Sequence, residues 1–492
     1  MCMQSREFKI IWQVSCALFF FVGIGNAQLR WLGIYGGSGN DDAYCARQTN
    51  DNSYIAVGST TSYGNGTQVY LLKIDSLGDT IWTKTYGGAD WDMGYWVQQT
   101  SDSGYIIAGT TASFGEEYQA YLIKTDSLGD TLWTRTYGGP SYEFGWGVQQ
   151  TMDGGYIIVG TTWNGGVYLI KTDANGDTLW AKTYGGDEGW SVQQTRDNGY
   201  IVAGYKNCGV YLIKTDSLGD TLWTRRYMDG IDDLGKHVEQ TTDGGYIIVG
   251  ASQRLMHLIQ ILAIKVDSLG NNPIYHCYGP NSLYSWSVGS CIQQTSDSGY
   301  ILVGYGDIAG GEMQVYLIKT DSLLEVLWDN TFGGGEDDVA NSVQQTSDGG
   351  YIIAGYSNSY GNGTQVYVIK TDSFGIGRIK DTCSSSLWLN TPNIYAYPNP
   401  FRNHCVIKFQ IPSTKFQTNL QTDVGQGFSL AIKIYDATGR LVKQFNHLTI
   451  QPFNQVVWDG TDDFGRRLPA GIYFCHLEIG ETVVATKVVE LE

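Results

Sequence analysis

Apolar residues in most of this chain fall in short runs, not at helical spacing. Typical runs are Tyr105-Ile-Ile-Ala-Gly, Ala120-Tyr-Leu-Ile-Lys and Thr131-Leu-Trp-Thr-Arg-Thr-Tyr137, each bounded by Asp, Ser and Gly. Runs of this length, rich in aromatic and β-branched residues and separated by turn residues, predict strands. The phrase V-Q-Q-T-x-D-x-G-Y-I-I-x-G also recurs, with its threonine at Thr49, Thr100, Thr151, Thr195, Thr241, Thr295 and Thr346. Successive threonines are 51, 51, 44, 46, 54 and 51 residues apart. Self-similarity at this period marks a repeat architecture. Whatever all seven copies share is most simply structural, so a functional site is to be sought where they differ.

In the second copy, Tyr95 to Thr100 reads as a first strand and Ser101-Asp-Ser-Gly104 as a turn. Tyr105 to Thr110, Ala120 to Thr125 and Thr131 to Tyr137 supply three more strands, with the turn Asp126-Ser-Leu-Gly-Asp130 before the last. Four consecutive antiparallel strands per repeat describe a propeller blade. A right-handed parallel β-helix is the competing architecture, but its coils are shorter and lack the two hairpin turns. An orphan fourth strand at Leu29 to Gly37, and its absence after Asp372, are what closure of a ring requires. The N-terminal strand, 29–37, would complete the last blade and remove both sheet edges.

Composition fits short strands and tight turns: 64 glycines against 9 prolines in 492 residues. The net charge of −18 argues against nucleic acid or an anionic membrane as partner, since both need clustered Lys and Arg. Arg6 and Lys9, the apolar stretch Ile10 to Ile24 and Gly25-Asn-Ala27 form a secretory leader. Cleavage is expected after Ala27. No later stretch is long and apolar enough to span a bilayer. Seven cysteines lie beyond the leader; Cys277–Cys291 and Cys405–Cys475 are the pairs worth testing.

From Tyr397 the composition changes, and alternating strands with turn signals predict a small immunoglobulin-like sandwich. The pieces "YPNPF", "IKIYDATGRLVKQF", "WDGTDDFGRRLPAGIYF" and "TKVVELE" stand in order over the last 96 residues. This segment resembles the type A C-terminal sorting domain of the type IX secretion system, an export route of Gram-negative bacteria. The resemblance implies transport across the outer membrane, with the secretion machinery as partner and a secreted or surface address. The chain departs from that family in ending Leu491-Glu492 instead of on a basic residue. A related sandwich occurs in flagellar hook-cap proteins, which leaves a purely structural role open. The reading is thus all-β: leader 1–27, seven-bladed β-propeller 28–375, linker 376–393 and sandwich 394–492.

The turn Asp126-x-x-Gly129-x-x-x-Trp133 recurs around Trp82, Trp180, Trp223 and Trp328, with Ile274 replacing Trp once. It resembles the tryptophan-docking repeat of quinoprotein propellers and, more loosely, the Asp-box of sialidases, where it locks blade to blade. No adjacent-cysteine pair and no arginine triad accompany it, so neither catalytic function carries over. Seven third-strand lysines, Lys73 to Lys370, read as a repeated ion pair or hydrogen bond between strands. No HExxH, G-x-S-x-G elbow or phosphate loop appears, so no catalytic residue, cofactor or metal site is assigned.

The copies differ in the loops joining fourth to first and second to third strands, which a propeller brings to one face. These carry acids, among them Asp41, Asp92, Glu143, Asp233 and Asp338, and aromatics at Tyr63, Phe114, Trp163 and Tyr360. Tyr44, Tyr95, Trp146 and Trp190 enter the first strands, where copies five to seven have Lys236, Ser290 and Asn341. Aromatic planes beside carboxylates suit a sugar chain, whose C–H faces stack while its hydroxyls bond. The candidate ligand site is therefore Tyr44, Tyr95, Trp146, Trp190, Trp163, Asp92 and Glu143. Two functions are carried forward. One is an exported binding or structural module for a glycan or extracellular protein. The other is a polysaccharide-degrading enzyme using acidic-face carboxylates as acid and base.

Overall fold

The computed structural model describes residues 30–139, 141–255, 258–279, 285–307, 311–361, 363–377, 393–397, 405–410, 430–445, 455–479 and 482–490. The leader and residues 378–392 of the linker lie outside the described residues. The chain divides into two compact units, 1–380 and 381–492.

The first unit is a seven-bladed β-propeller: seven antiparallel four-stranded sheets, each strand neighbouring the next in sequence except at the point of closure. In blade two the strands are Asp92–Gln99, Tyr105–Thr111, Gln119–Thr125 and Thr131–Tyr137, from the channel outward. The two middle strands are buried along their whole length, while the outermost alternates between exposed and covered positions. That explains the near-continuous apolar runs: both faces of a middle strand pack against neighbouring blades. In blade seven the outer strand is Trp31–Tyr35, paired antiparallel with Gln365–Thr371 from Trp31 opposite Lys370 to Tyr35 opposite Val366.

Each inner strand starts before the V-Q-Q-T phrase and carries a β-bulge, placed in blade two between Gly94 and Trp96. The glycine of Y-I-I-x-G lies beside this bulge. A Cβ on Gly109 would collide with the Met93 carbonyl oxygen, and the same collision recurs at Gly58, Gly160, Gly204, Gly250, Gly304 and Gly355 with their own inner strands. The motif's last letter is fixed by this close backbone approach.

The repeated glutamines join the blades. The second glutamine of each phrase accepts, through Oε1, the N–H of the residue after the threonine in the preceding blade. Examples are Gln99 with Asn50 (2.9 Å) and Gln194 with Met152 (2.9 Å). Gln48 with Ser347 (2.7 Å) closes the circle. The third-strand lysines pair with the aspartate of the first turn in their own blade, as in Lys124–Asp102 (2.8 Å) and Lys370–Asp348 (2.9 Å). All seven such pairs form.

Tryptophan docking also links adjacent blades. Trp82 packs on the Gly129 turn of the next blade, where an added Cβ would lie 2.9 Å from the indole, and the Tyr86 hydroxyl donates to the Gly129 carbonyl (2.6 Å). Between blades five and six, Ile274 replaces the tryptophan, and the facing glycine is replaced by Leu324 in the same left-handed conformation, φ 71°. Leu324 is fully buried and still accepts from the Tyr278 hydroxyl (2.8 Å). Leucine fits here because the indole is missing. Ile274→Trp alone should therefore overpack this junction and lose about 1–3 kcal/mol, and adding Leu324→Gly should recover most of it. Denaturant melts of the single and double variants check this; a double variant no better than the single refutes the pairing.

The second unit has two antiparallel sheets. One contains Asn393–Tyr397, Cys405–Gln410 and Gln455–Trp458; the other contains Leu441–Phe445, Leu430–Asp436, Gly471–Ile479 and Thr482–Glu490. Cys405, Ile407 and Trp458 from the first meet Ile432, Ile434, Cys475 and Leu477 from the second in one core, as in a sandwich. Among the described residues Cys45, Cys208, Cys277, Cys291 and Cys475 are free thiols, so neither Cys277–Cys291 nor Cys405–Cys475 is a disulfide.

Candidate functional site

The bulge residue of each inner strand is the position where the copies differ. Tyr44, Tyr95, Trp146, Trp190, Lys236, Ser290 and Asn341 all occupy it. In blades one to three these rings touch in series: Tyr44 meets Tyr95 at 5.1 Å between centroids, and Tyr95 meets Trp146 at 4.6 Å. The chain of rings continues through Phe144 (5.7 Å), Tyr118 (5.8 Å) and Tyr142 (5.5 Å) to Trp163 (5.0 Å). Trp91 joins at Tyr118 (5.4 Å). Eight rings thus form one arc from the channel mouth to the loop rim, where Trp163 is 67% exposed. The Trp146 indole donates to Thr161 Oγ1 (3.1 Å), which orients it. Trp190 makes no ring contact with the arc among the described residues; its indole bonds to Glu188.

The predicted acids are turned into the loops. Asp92 is fully buried and accepts from the Gly88 N–H (2.8 Å), from Ser113 Oγ (2.7 Å) and from Thr111 Oγ1. Glu143 is buried and accepts from the Gly139 N–H (3.1 Å). Asp41 and Asp338 repeat the Asp92 pattern in blades one and seven. These four carboxylates cap the loops that enter blades one, two, three and seven. The structure joins Tyr44, Tyr95, Trp146 and Trp163 in one series of rings and leaves Asp92 and Glu143 bonded to their own loops.

A second feature went unread in the sequence. The first glutamine of V-Q-Q-T faces the central channel in five blades, but blade one has Arg47 there and blade five Glu239. Both line a cavity of about 310 Å³ that draws wall residues from all seven blades. Trp96 and His237 also line it, their rings stacked at 5.5 Å, with the Arg47 guanidinium 4.4 Å from the Trp96 ring centre. Burial, reinforced by Arg47, pushes the His237 imidazole down to about 3, so it is neutral. Burial pushes Glu239 up to about 7 against the opposing pull of the Gln294 N–H and Arg47. The available signal was the departure itself, A-R-Q-T in copy one and V-E-Q-T in copy five.

Residues 395–490 match the family described as the secretion system C-terminal sorting domain. The chain is accordingly a secreted or outer-surface protein of a Gram-negative bacterium. No curated protein matches the sequence. Among solved structures, the Dos1 propeller is similar at 12% identity over 73% of this chain and 98% of that one, with a TM-score of 0.46. A protein from Lactobacillus plantarum is similar at 14% identity, over 66% and 97% of the two chains, with a TM-score of 0.45. PorZ, described as an essential bacterial surface component of the type-IX secretion system of Porphyromonas gingivalis, is similar at 13% identity with a TM-score of 0.43. That match covers 93% of this chain and 60% of PorZ.

Proposed function

We propose that this propeller is a binding module displayed at or beyond the cell surface, exported through its C-terminal sorting domain by the type IX route. Its ligand lies across the aromatic arc of blades one to three, and a carbohydrate chain fits that arc best. The observation carrying this reading is the run of eight contacting rings, from bulge positions to the exposed Trp163. The fold does not require aromatics at the bulge, since Lys236, Ser290 and Asn341 occupy the same bulge in blades five to seven. Contacting rings that open at a rim offer C–H contact to sugar faces. The binding reading is favoured over the hydrolase because Asp41, Asp92, Glu143 and Asp338 are engaged by turn amides or hydroxyls. A pair of catalytic carboxylates needs its oxygens turned toward substrate.

A glycan and extracellular-protein binding screen on the full chain tests the proposal. Trp163→Ala and Trp146→Ala should each weaken binding by about 1 kcal/mol or more. Trp190→Ala, outside the arc, should matter less. Unfolding free energy should fall by less than the 3–5 kcal/mol of a truncated core aromatic, and least for Trp163. Intact binding with lost stability would make these rings core; a protein ligand on the same residues would replace the carbohydrate reading.

A further inference from the structure

The channel cavity runs down the inner strands from Trp96 and His237, next to the bulges, toward the first turns. Asn50 and Gln99, beside the first turns, are part of its wall. Its polar groups have a fixed direction. Oε1 of Gln98 accepts from the Gln150 N–H (2.7 Å), that of Gln149 from Gln194 (2.5 Å), and that of Gln193 from Gln240 (2.6 Å). Gln293 and Gln344 accept likewise from Gln345 (2.6 Å) and Gln48 (2.8 Å). A backbone N–H can meet only the carbonyl end of a carboxamide, so the NH₂ end of each is defined. None of these five NH₂ groups has a hydrogen-bond partner in the protein among the described residues. They are donors directed at the channel.

Arg47 adds a cation to this donor ring. Its Nη1 donates to the neighbouring Ala46 carbonyl (3.1 Å), but among the described residues no carboxylate lies within ion-pair distance of the guanidinium. Glu239, in the same cavity, attracts the guanidinium only from beyond ion-pair distance, and an enclosed cation without a contacting counter-ion is costly. A glutamine at 47 would accept the Gln99 N–H as its counterparts do, and arginine has no acceptor to offer. The cavity's one carboxylate, Glu239, has an oxygen bound to the Gln294 N–H (2.7 Å).

We propose that the central channel is a binding site for a small oxyanion, a carboxylate or a phosphate, held by the Arg47 guanidinium and the ring of glutamine NH₂ groups. The planar guanidinium offers paired donors that match either group, and the amides supply the remaining bonds. About 310 Å³ is the low end for small-molecule sites. Trp96 is already covered by Arg47 and His237, so recognition is by hydrogen bonds and charge and not by stacking.

Calorimetric titration of the full-length protein with inorganic phosphate and with citrate, in low-chloride buffer at neutral pH, tests this. At least one probe should bind saturably at one site per chain and raise the melting temperature. Preference for phosphate assigns a phosphate-bearing ligand, and preference for citrate a carboxylate. Arg47→Gln gives blade one the glutamine of five other blades, so it should melt no lower than the wild type while losing tenfold or more in affinity. Arg47→Lys, which keeps the charge without the fork, should lose several-fold and gives a second reading if the glutamine variant does not fold. No saturable binding of either probe, or equal binding by wild type and Arg47→Gln, overturns the proposal.

Discussion

Removing residues 30–35 should abolish cooperative unfolding of the propeller and drive it to aggregate. These residues carry the outer strand of blade seven, and without them the edge of Gln365–Thr371 is exposed. They also carry one of the docking tryptophans. Trp31 is buried, packs edge-on against Tyr54 at 5.7 Å, and donates from its indole to the Ser76 carbonyl (3.0 Å). The Tyr35 hydroxyl donates to the Gly78 carbonyl (2.9 Å), and Arg30 pairs with the nearly buried Asp372 (3.2 Å). One short segment thus links the last blade to the first. Trp31→Ala alone should cost about 3–5 kcal/mol, as expected for a buried tryptophan, against total stabilities of about 5–15 kcal/mol for a domain. Chemical denaturation of Trp31→Ala and size-exclusion chromatography of the deletion check this. If both behave as the wild type, the ring is held closed by other contacts.

Blade number, strand order and blade-to-blade docking were legible because each repeats seven times, and repetition separates a rule from an accident. The bulge was not legible. It arises where Gly94 and Gly109 let two backbones approach, and it sets which way each later inner-strand residue points. Without it, the aromatics of blades one to four read as one set, whereas the ring contacts run through blades one to three and bypass Trp190. The acids show a related limit. Asp92 looks like an exposed loop acid by type and neighbours, yet it sits under the loop because Gly88, Thr111 and Ser113 all donate to it. Arg47 and Glu239 stood in plain view as departures from glutamine. Their meaning depends on the closed ring, which places the first glutamine of every phrase on one shared channel.

The lysine–aspartate pairs should make the propeller acid-labile, with blade seven the most sensitive. Lys370 has no solvent exposure and Asp348 is 27% exposed, whereas Lys265 and Asp243 in blade five are 19% and 57% exposed. Asp348→Ala would strand a buried ammonium, a change that costs about 3–5 kcal/mol where one partner of a buried pair is lost. Asp243→Ala should cost clearly less, since water reaches Lys265. The pH dependence follows from the same bonds. Burial raises the Asp102 carboxyl, but the Lys124 ammonium, the Thr100 hydroxyl and the Gly104 N–H outweigh it and hold it down at about 2. The corresponding aspartates of the other six blades are lowered as well. A carboxyl depressed in the folded state contributes fully above its unfolded value of about 4, and loses that contribution as pH falls through the folded value. Stability should therefore decline from about pH 4 toward pH 2, steeply because seven sites take up protons together on unfolding. Asp348→Asn should lower stability at neutral pH and flatten the acid limb by one proton. An acid limb unchanged in that variant, or equal losses for Asp348→Ala and Asp243→Ala, would mean that Lys370 is held by the Thr371 carbonyl (2.8 Å) and not by Asp348.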